Sequence, residues 1–139
     1  MSIERTLTII KPDGVQQKNV GEIIKKLEEN EFTIRAAQFL HLTRQQAEGF
    51  YAVHREKSFF NDLTRYMSSG PILVMVLERE NAINRPRDMM GATDPAKAAE
   101  GTIRKLFASS IERNVIHGSD GLETASAEIS YFFSALQLV

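Results

Sequence analysis

The sequence contains no cysteine. That excludes disulfides, zinc-thiolate centres and thiol nucleophiles. No charge sign dominates: 17 basic residues against 18 acidic ones leave a net charge of -1. A broad electrostatic footprint for nucleic acid is therefore missing, although a local basic pocket stays open. No apolar stretch approaches the roughly 18 residues a membrane span needs. The opening MSIERTLTII lacks the apolar core and cleavage site of a signal peptide. Internal repeats, low-complexity tracts and linkers are absent. So are a Walker A motif, a kinase Gly-rich loop and an acidic cluster with metal-ligand spacing. What remains is the expectation of a cytoplasmic protein with no membrane and no nucleic-acid requirement. At 139 residues and 42% hydrophobic composition, residues 1–139 suit one domain around one packed interior.

Alternation of Leu7 and Ile9 with Thr6 and Thr8 predicts a strand over Ile3 to Ile10. It ends at the turn signal Lys11-Pro12-Asp13-Gly14. Asn19 with Glu22 reads as a capping box, Val20, Ile23, Ile24 and Leu27 as the apolar stripe behind it, and Asn30 as a left-handed stop. Phe32, Ile34, Ala36 and Gln38 are expected on one face of a second strand running to about Leu42. Thr43 with Gln46 is another capping box, opening a helix through Ala47, Phe50 and Tyr51. A further helix begins near Phe60, with Leu63 and Met67 inward, and stops at Gly70-Pro71. The continuous apolar run from Ile72 to Leu77 suits a strand buried on both faces. Helices are expected over Asn81 to Met90, Thr102 to Ser110 and Glu123 to Phe133, with Gly91 as a breaker and Asp94 as a cap before Pro95. Ser109 to Gly121 reads as a polar, turn-rich loop, with room near it for a fourth short strand that periodicity does not show. This order fits an α+β or α/β sandwich, and a ferredoxin-like split βαβ is a candidate within it.

The chemistry concentrates in Asn114-Val115-Ile116-His117-Gly118-Ser119-Asp120-Gly121. An imidazole is a nucleophile at neutral pH without costly deprotonation. Covalent catalysis on it divides one transfer into two easier steps. Its ring must be held in one tautomer, and Ser119 and the downstream Glu128 are candidates for that. On this motif alone a structural loop histidine fits better. Lys11 at the exit of the first strand stands where phosphate contacts are common, but alone it reads as an exposed charge. Arg87 and Arg104 bracket Gly91-Ala92-Thr93-Asp94-Pro95, and with Thr93 could clamp a diphosphate. Among Tyr51, His54, Phe59 and Phe60, one aromatic is expected in the core and a neighbour at the surface, where it can stack a base. His41 and His54 read as structural or surface residues.

The stretches Thr8 to Val15, Ser69-Gly70-Pro71, Met90 to Pro95, Gly101 to Arg104 and Asn114 to Asp120 resemble the nucleoside diphosphate kinases, in that family's order and spacing from about Ile3 to Phe133. The resemblance implies a ferredoxin-like α/β sandwich with a four-stranded antiparallel sheet flanked by helices. It implies a ping-pong phosphotransferase, in which a nucleoside triphosphate such as ATP gives its γ-phosphate to His117 and a nucleoside diphosphate then takes it. By similarity, His117 is the nucleophile through its δ nitrogen. Lys11 and Tyr51 hold the transferring phosphate; Arg87, Thr93 and Arg104 bind the others; Asn114 lies near the ribose 3′-hydroxyl. Phe59 and Ile111 face the base, and Ser119 and Glu128 orient the histidine. Magnesium is expected on the nucleotide's phosphates, with no protein metal site. The family forms tetramers or hexamers built from dimers, so a homo-oligomer is expected.

The pattern is broken at three places. Gly121 stands where the family usually has serine, which suggests a looser loop. Ser58 replaces the proline before Phe59-Phe60, removing a φ constraint. Asp94 replaces the commoner asparagine, keeping an N-cap and adding a negative charge near the phosphates. Against this reading stand a nucleotide-binding regulatory domain, which has no need of His117, and a phosphocarrier for proteins, which has no need of Phe59 and Ile111.

Overall fold

The computed structural model describes residues 2–139. Its centre is a four-stranded antiparallel sheet in the order β2-β3-β1-β4, formed by β1 Ile3–Ile10, β2 Thr33–Leu40, β3 Ile72–Glu80 and β4 Ile116–Gly118. The helices are α1 Pro12–Gln16, α2 Val20–Glu29, α3 Arg44–Phe50, α4 Phe60–Met67, α5 Arg85–Met90, α6 Ile103–Phe107 and α7 Leu122–Phe132, with single 3₁₀ turns at Ala52–His54, Pro95–Lys97 and Ala135–Gln137.

Apolar side chains fill both faces of this sheet. Odd-numbered Leu7 and Ile9 of β1 join Val74 and Val76 of β3, Ala47, Phe60, Met67 and Phe133 on one face. Ile10, Leu73, Met75 and Leu77 join Ile23, Leu27, Phe32, Ile103 and Ile116 on the other. The Ile72 to Leu77 run is thus buried on both sides, as a continuous apolar strand requires. The polar half of β1's alternation is not a solvent face: Thr6 and Thr8 are also fully buried. Their hydroxyls have no partner among the described residues. Threonine's β-branch suits the covered strand, and the alternation therefore identified the strand without identifying its wet side.

Local signals succeed where the chain alone decides them. Thr43 caps α3 with both bonds of the box, Gln46 N–H to Thr43 Oγ1 at 3.1 Å and Thr43 N–H to Gln46 Oε1 at 2.9 Å. Asp94 Oδ1 accepts from Ala96 N–H at 3.0 Å ahead of Pro95. Gly91 ends α5 at φ 85°, and a Cβ there would lie 2.5 Å from Thr102 Oγ1, so both conformation and space demand glycine.

Five expectations need correction. The segment Lys11 to Gly14, expected as a turn, instead opens helix α1, with Lys11 at the N-cap and Pro12 in the first turn. Asn19 occupies the N-cap of α2, but its side chain makes no capping bond and the box with Glu22 does not form. The left-handed residue after α2 is Glu31 (φ 68°); Asn30 instead donates its side-chain amide to the Lys26 carbonyl at 2.8 Å. A β-bulge between Ile34 and Ala36 flips β2, so Phe32 and Ile34 face the α2 side while Ala36 and Leu40 face the α3 and α4 side. The helices expected over 81–90 and 102–110 shorten to 85–90 and 103–107, with turn backbone over 81–84 and irregular backbone over 108–110.

Candidate active site

His117 is not in a loop. It lies on β4, a strand of three residues inside the polar segment, paired with Ile9 of β1. Bonds at both ends tie β4 to β1: Lys11 N–H donates to the Val115 carbonyl at 2.8 Å, and Ser119 N–H to the Leu7 carbonyl at 3.1 Å. The strand is entered through a tight turn in which Ile116 N–H donates to the Asn114 carbonyl at 2.8 Å across Val115. Val115 has φ 70°, a strained value for a β-branched residue. The turn presses on α1, where a Cβ on Gly14 would come within 2.8 Å of Val115 Cγ2, so a glycine at this point of the helix is needed for close approach.

The imidazole is held from helix α7. Its Nε2 lies 2.9 Å from Glu128 Oε1, and the Ser119 hydroxyl donates to the same oxygen at 2.7 Å. Leu7 N–H donates to Ser119 Oγ at 3.2 Å, which anchors the serine to the sheet. A carboxylate accepts only, so Nε2 carries the ring hydrogen and Nδ1 presents a lone pair.

A second bonded group lies at the ends of β1 and β4. The Lys11 ammonium, buried, donates to Asn114 Oδ1 at 2.8 Å, and Asn114 Nδ2 donates to the Ile111 carbonyl at 3.0 Å. Arg104 donates to the carbonyls of Gly91 (3.0 Å), Asn114 (3.3 Å) and Ile116 (2.8 Å), which leaves further guanidinium N–H groups for an anion. Burial first, and the Arg104 charge second, pull the Lys11 ammonium down to about 8, while Asp13 opposes them. Asp13 is itself buried and accepts the Tyr66 hydroxyl; burial raises its carboxyl above the ordinary range.

Tyr51, at the C-cap of α3, is buried with no hydrogen-bond partner for its hydroxyl among the described residues. Burial and then the Glu128 charge push its phenol upward, so it stays a donor at neutral pH. Phe59 and Ile111 are large apolar residues left half-exposed (47% and 52%), while Phe60 is buried, which matches one aromatic in the core and one outside. Arg87 on α5 and Thr93 after it are exposed and make no side-chain bond to the rest of the group among the described residues. Two contacts were not legible in the sequence. His54, read as a surface or structural residue, stacks 6.4 Å from Tyr51 and packs 5.5 Å from Phe59, a spacing its i+3 position after Tyr51 could have suggested. The Phe50 and His117 rings meet in a T-shaped arrangement with centroids 5.6 Å apart, and nothing in the apolar helix stripe of Phe50 marks that.

Gly121 precedes α7 in extended backbone (φ -165°), and a Cβ there meets only Thr124 Oγ1 at 3.9 Å. Serine fits this position, and its hydroxyl can cap the helix. Gly121→Ser is expected to stabilise the protein by about 1 kcal/mol through reduced unfolded-chain freedom and the cap. A raised calorimetric midpoint checks it.

The model of the family "Nucleoside diphosphate kinase" matches residues 4–138. A nucleoside diphosphate kinase of Desulfosudis oleivorans is 57% identical over 137 residues, covering 99% of each chain. One from Myxococcus xanthus is 56% identical over 138 residues, covering 99% of this chain and 95% of the relative. Among solved structures, the Aquifex aeolicus nucleoside diphosphate kinase superposes with a TM-score of 0.97 at 41% identity, covering 99% of this chain and 100% of that one. A halophilic nucleoside diphosphate kinase from Halobacterium salinarum, solved in complex with CDP, gives 0.94 at 38% identity, covering 99% and 92%.

Proposed function

The chain belongs to the nucleoside diphosphate kinase family, phosphotransferases that act on nucleotides, and from that premise we propose that it works by ping-pong transfer through a phosphohistidine on His117. The observation that carries this reading is the Glu128 carboxylate on His117 Nε2, which leaves Nδ1 as the nucleophile. The Nδ1 lone pair attacks the γ-phosphorus. An N–P bond forms while the bond to the β,γ-bridging oxygen breaks, and the diphosphate departs with that oxygen and its electron pair. The second half runs the same step backwards onto another nucleoside diphosphate.

Each neighbour then has a role set by its chemistry. Lys11 and the Tyr51 hydroxyl donate to the transferring phosphoryl oxygens, where charge must be stabilised. Arg87, Thr93 and Arg104 hold the remaining phosphates, and Asn114 contacts the ribose. Phe59 and Ile111 sandwich the base by apolar contact, which is tolerant of base identity. Ser119 and Glu128 keep the imidazole in one tautomer. Magnesium arrives on the substrate's phosphates. Lys11, Arg87 and Arg104 are cations that suit phosphate oxygens, and among the described residues no three His, Asp or Glu side chains gather as a metal site.

The same reading takes residues 1–139 as one domain working in the cytoplasm on ATP and other nucleoside di- and triphosphates. Among the described residues no helix is long and apolar enough to cross a membrane. It also takes the protein as a homo-oligomer of dimers, supported by the open edge of β2 with its exposed Phe39. Light scattering separates tetramer from hexamer. The decisive experiment incubates the protein with γ-labelled ATP, removes nucleotide and adds GDP. Acid-labile label on the protein that moves to GTP is the expected result. Label that stays on the protein, or none at all, overturns the mechanism.

A further inference from the structure

The hydrogen bond from Nε2 to Glu128 (2.9 Å) fixes one atom of the His117 ring. It leaves a rotation free. The line from Cβ to Nε2 passes through the ring, and Nδ1 lies to one side of it. Turning about that line keeps the bond to Glu128 and swings Nδ1 away from an incoming phosphorus. Something else must set the ring plane.

We propose that Phe50 is that constraint, a positioning residue that acts through the His117 ring and touches no substrate atom itself; the inference rests on the phosphohistidine reading above. Its ring meets the imidazole edge-to-face, with centroids 5.6 Å apart and planes at 73°, the arrangement aromatic pairs favour. A flat edge against a flat face resists the rotation that a single hydrogen bond permits.

Phe50 can serve as a wall because it is walled in. Tyr51 packs on it at 4.8 Å, Phe132 at 5.0 Å and Tyr131 at 5.6 Å. The last two belong to α7, the helix that carries Glu128. The Tyr131 hydroxyl donates to the Gln46 carbonyl of α3 at 2.7 Å. At that crossing a Cβ on Gly49 would lie 2.5 Å from the Tyr131 hydroxyl oxygen, so α3 approaches α7 through a bare α-carbon. The wall on α3 and the carboxylate on α7 are thereby tied to one another, and the imidazole sits between them.

The test compares Phe50→Leu, Phe50→Met and Phe50→Tyr with wild type in single-turnover phosphorylation by ATP and dephosphorylation by ADP. Leucine and methionine keep apolar bulk and lose the flat ring; either one that folds gives the reading. Phosphorylation and dephosphorylation are both expected to slow by the same factor, about 10- to 100-fold, as small misplacements of a reacting atom do. The nucleotide KM stays within about twofold, and Phe50→Tyr recovers most of the rate. Wild-type rates in the leucine and methionine variants overturn the proposal, as does a loss confined to KM or no recovery with tyrosine. If wild type itself forms no phosphohistidine, the functional reading fails first; if wild type does and the variants match it, only this inference fails.

Discussion

The His117→Ala protein is expected to take up no acid-labile label from γ-labelled ATP, and its kcat/KM to fall by about 10⁵-fold or more, the scale seen when a covalent nucleophile is deleted. The size follows from what is left. On the proposed reading Lys11, Tyr51 and Arg104 are left to bind phosphate, so affinity for nucleotide is expected to survive. Without the imidazole, transfer needs two nucleotides at once in a site with one set of phosphate donors. The fold is expected to persist, because β4 is held by backbone bonds and Glu128 keeps its bond from Ser119. Circular dichroism and nucleotide binding near wild type, beside a dead label assay, complete the expected result. Equal labelling of His117→Ala and wild type would move the chemistry to another residue.

The second large effect belongs to Lys11. Lys11→Met keeps the aliphatic stem and drops the ammonium, and kcat is expected to fall by about 10²- to 10³-fold, as when one preorganised donor to a developing charge is removed. The pH profile supplies the sharper test. In the free enzyme Lys11 is pulled down to about 8 by burial and by Arg104. It is charged below that pH and neutral above it, so wild-type kcat/KM should decline as pH rises through about 8. Bound phosphate favours the ammonium, so the same decline in kcat moves to higher pH. Lys11→Met should lose the alkaline limb from both profiles. A limb of unchanged position in the variant would assign it to some other group.

Sequence reading reached those features that neighbours along the chain decide. The Thr43–Gln46 box and the Ile72 to Leu77 run both carry their cause within a few residues. Three structural features escaped because their cause is tertiary. A strand of three residues, with a polar segment on each side, cannot display a period of two, so β4 looked like loop. The bulge in β2 inserts one residue, and the composition of Phe32 to Gln38 is compatible with either face assignment. Asn30 satisfied the residue preference for a left-handed stop, yet its amide found the Lys26 carbonyl and the next residue took the positive φ. The site divides in the same way. His117, Lys11 and the arginine pair stand out by residue type. Glu128 was only one candidate for holding the ring until the family pattern singled it out, since the packing of α7 is what brings it across 11 positions to the imidazole.

The brevity of β4 raises a problem of indexing. A slip of one residue along β1 would exchange the sheet faces and bring Ile116 or Gly118 to the place of the imidazole. Few hydrogen bonds within three residues oppose that slip. The bent peptide at Val115 and the Ser119 contacts to Leu7 act as stops at the two ends, one too sharp to be drawn into the ladder and the other pinned by main-chain and side-chain bonds together. Strain spent at Val115 thus works as a fiducial mark: it tells the chain which residue is to be the histidine.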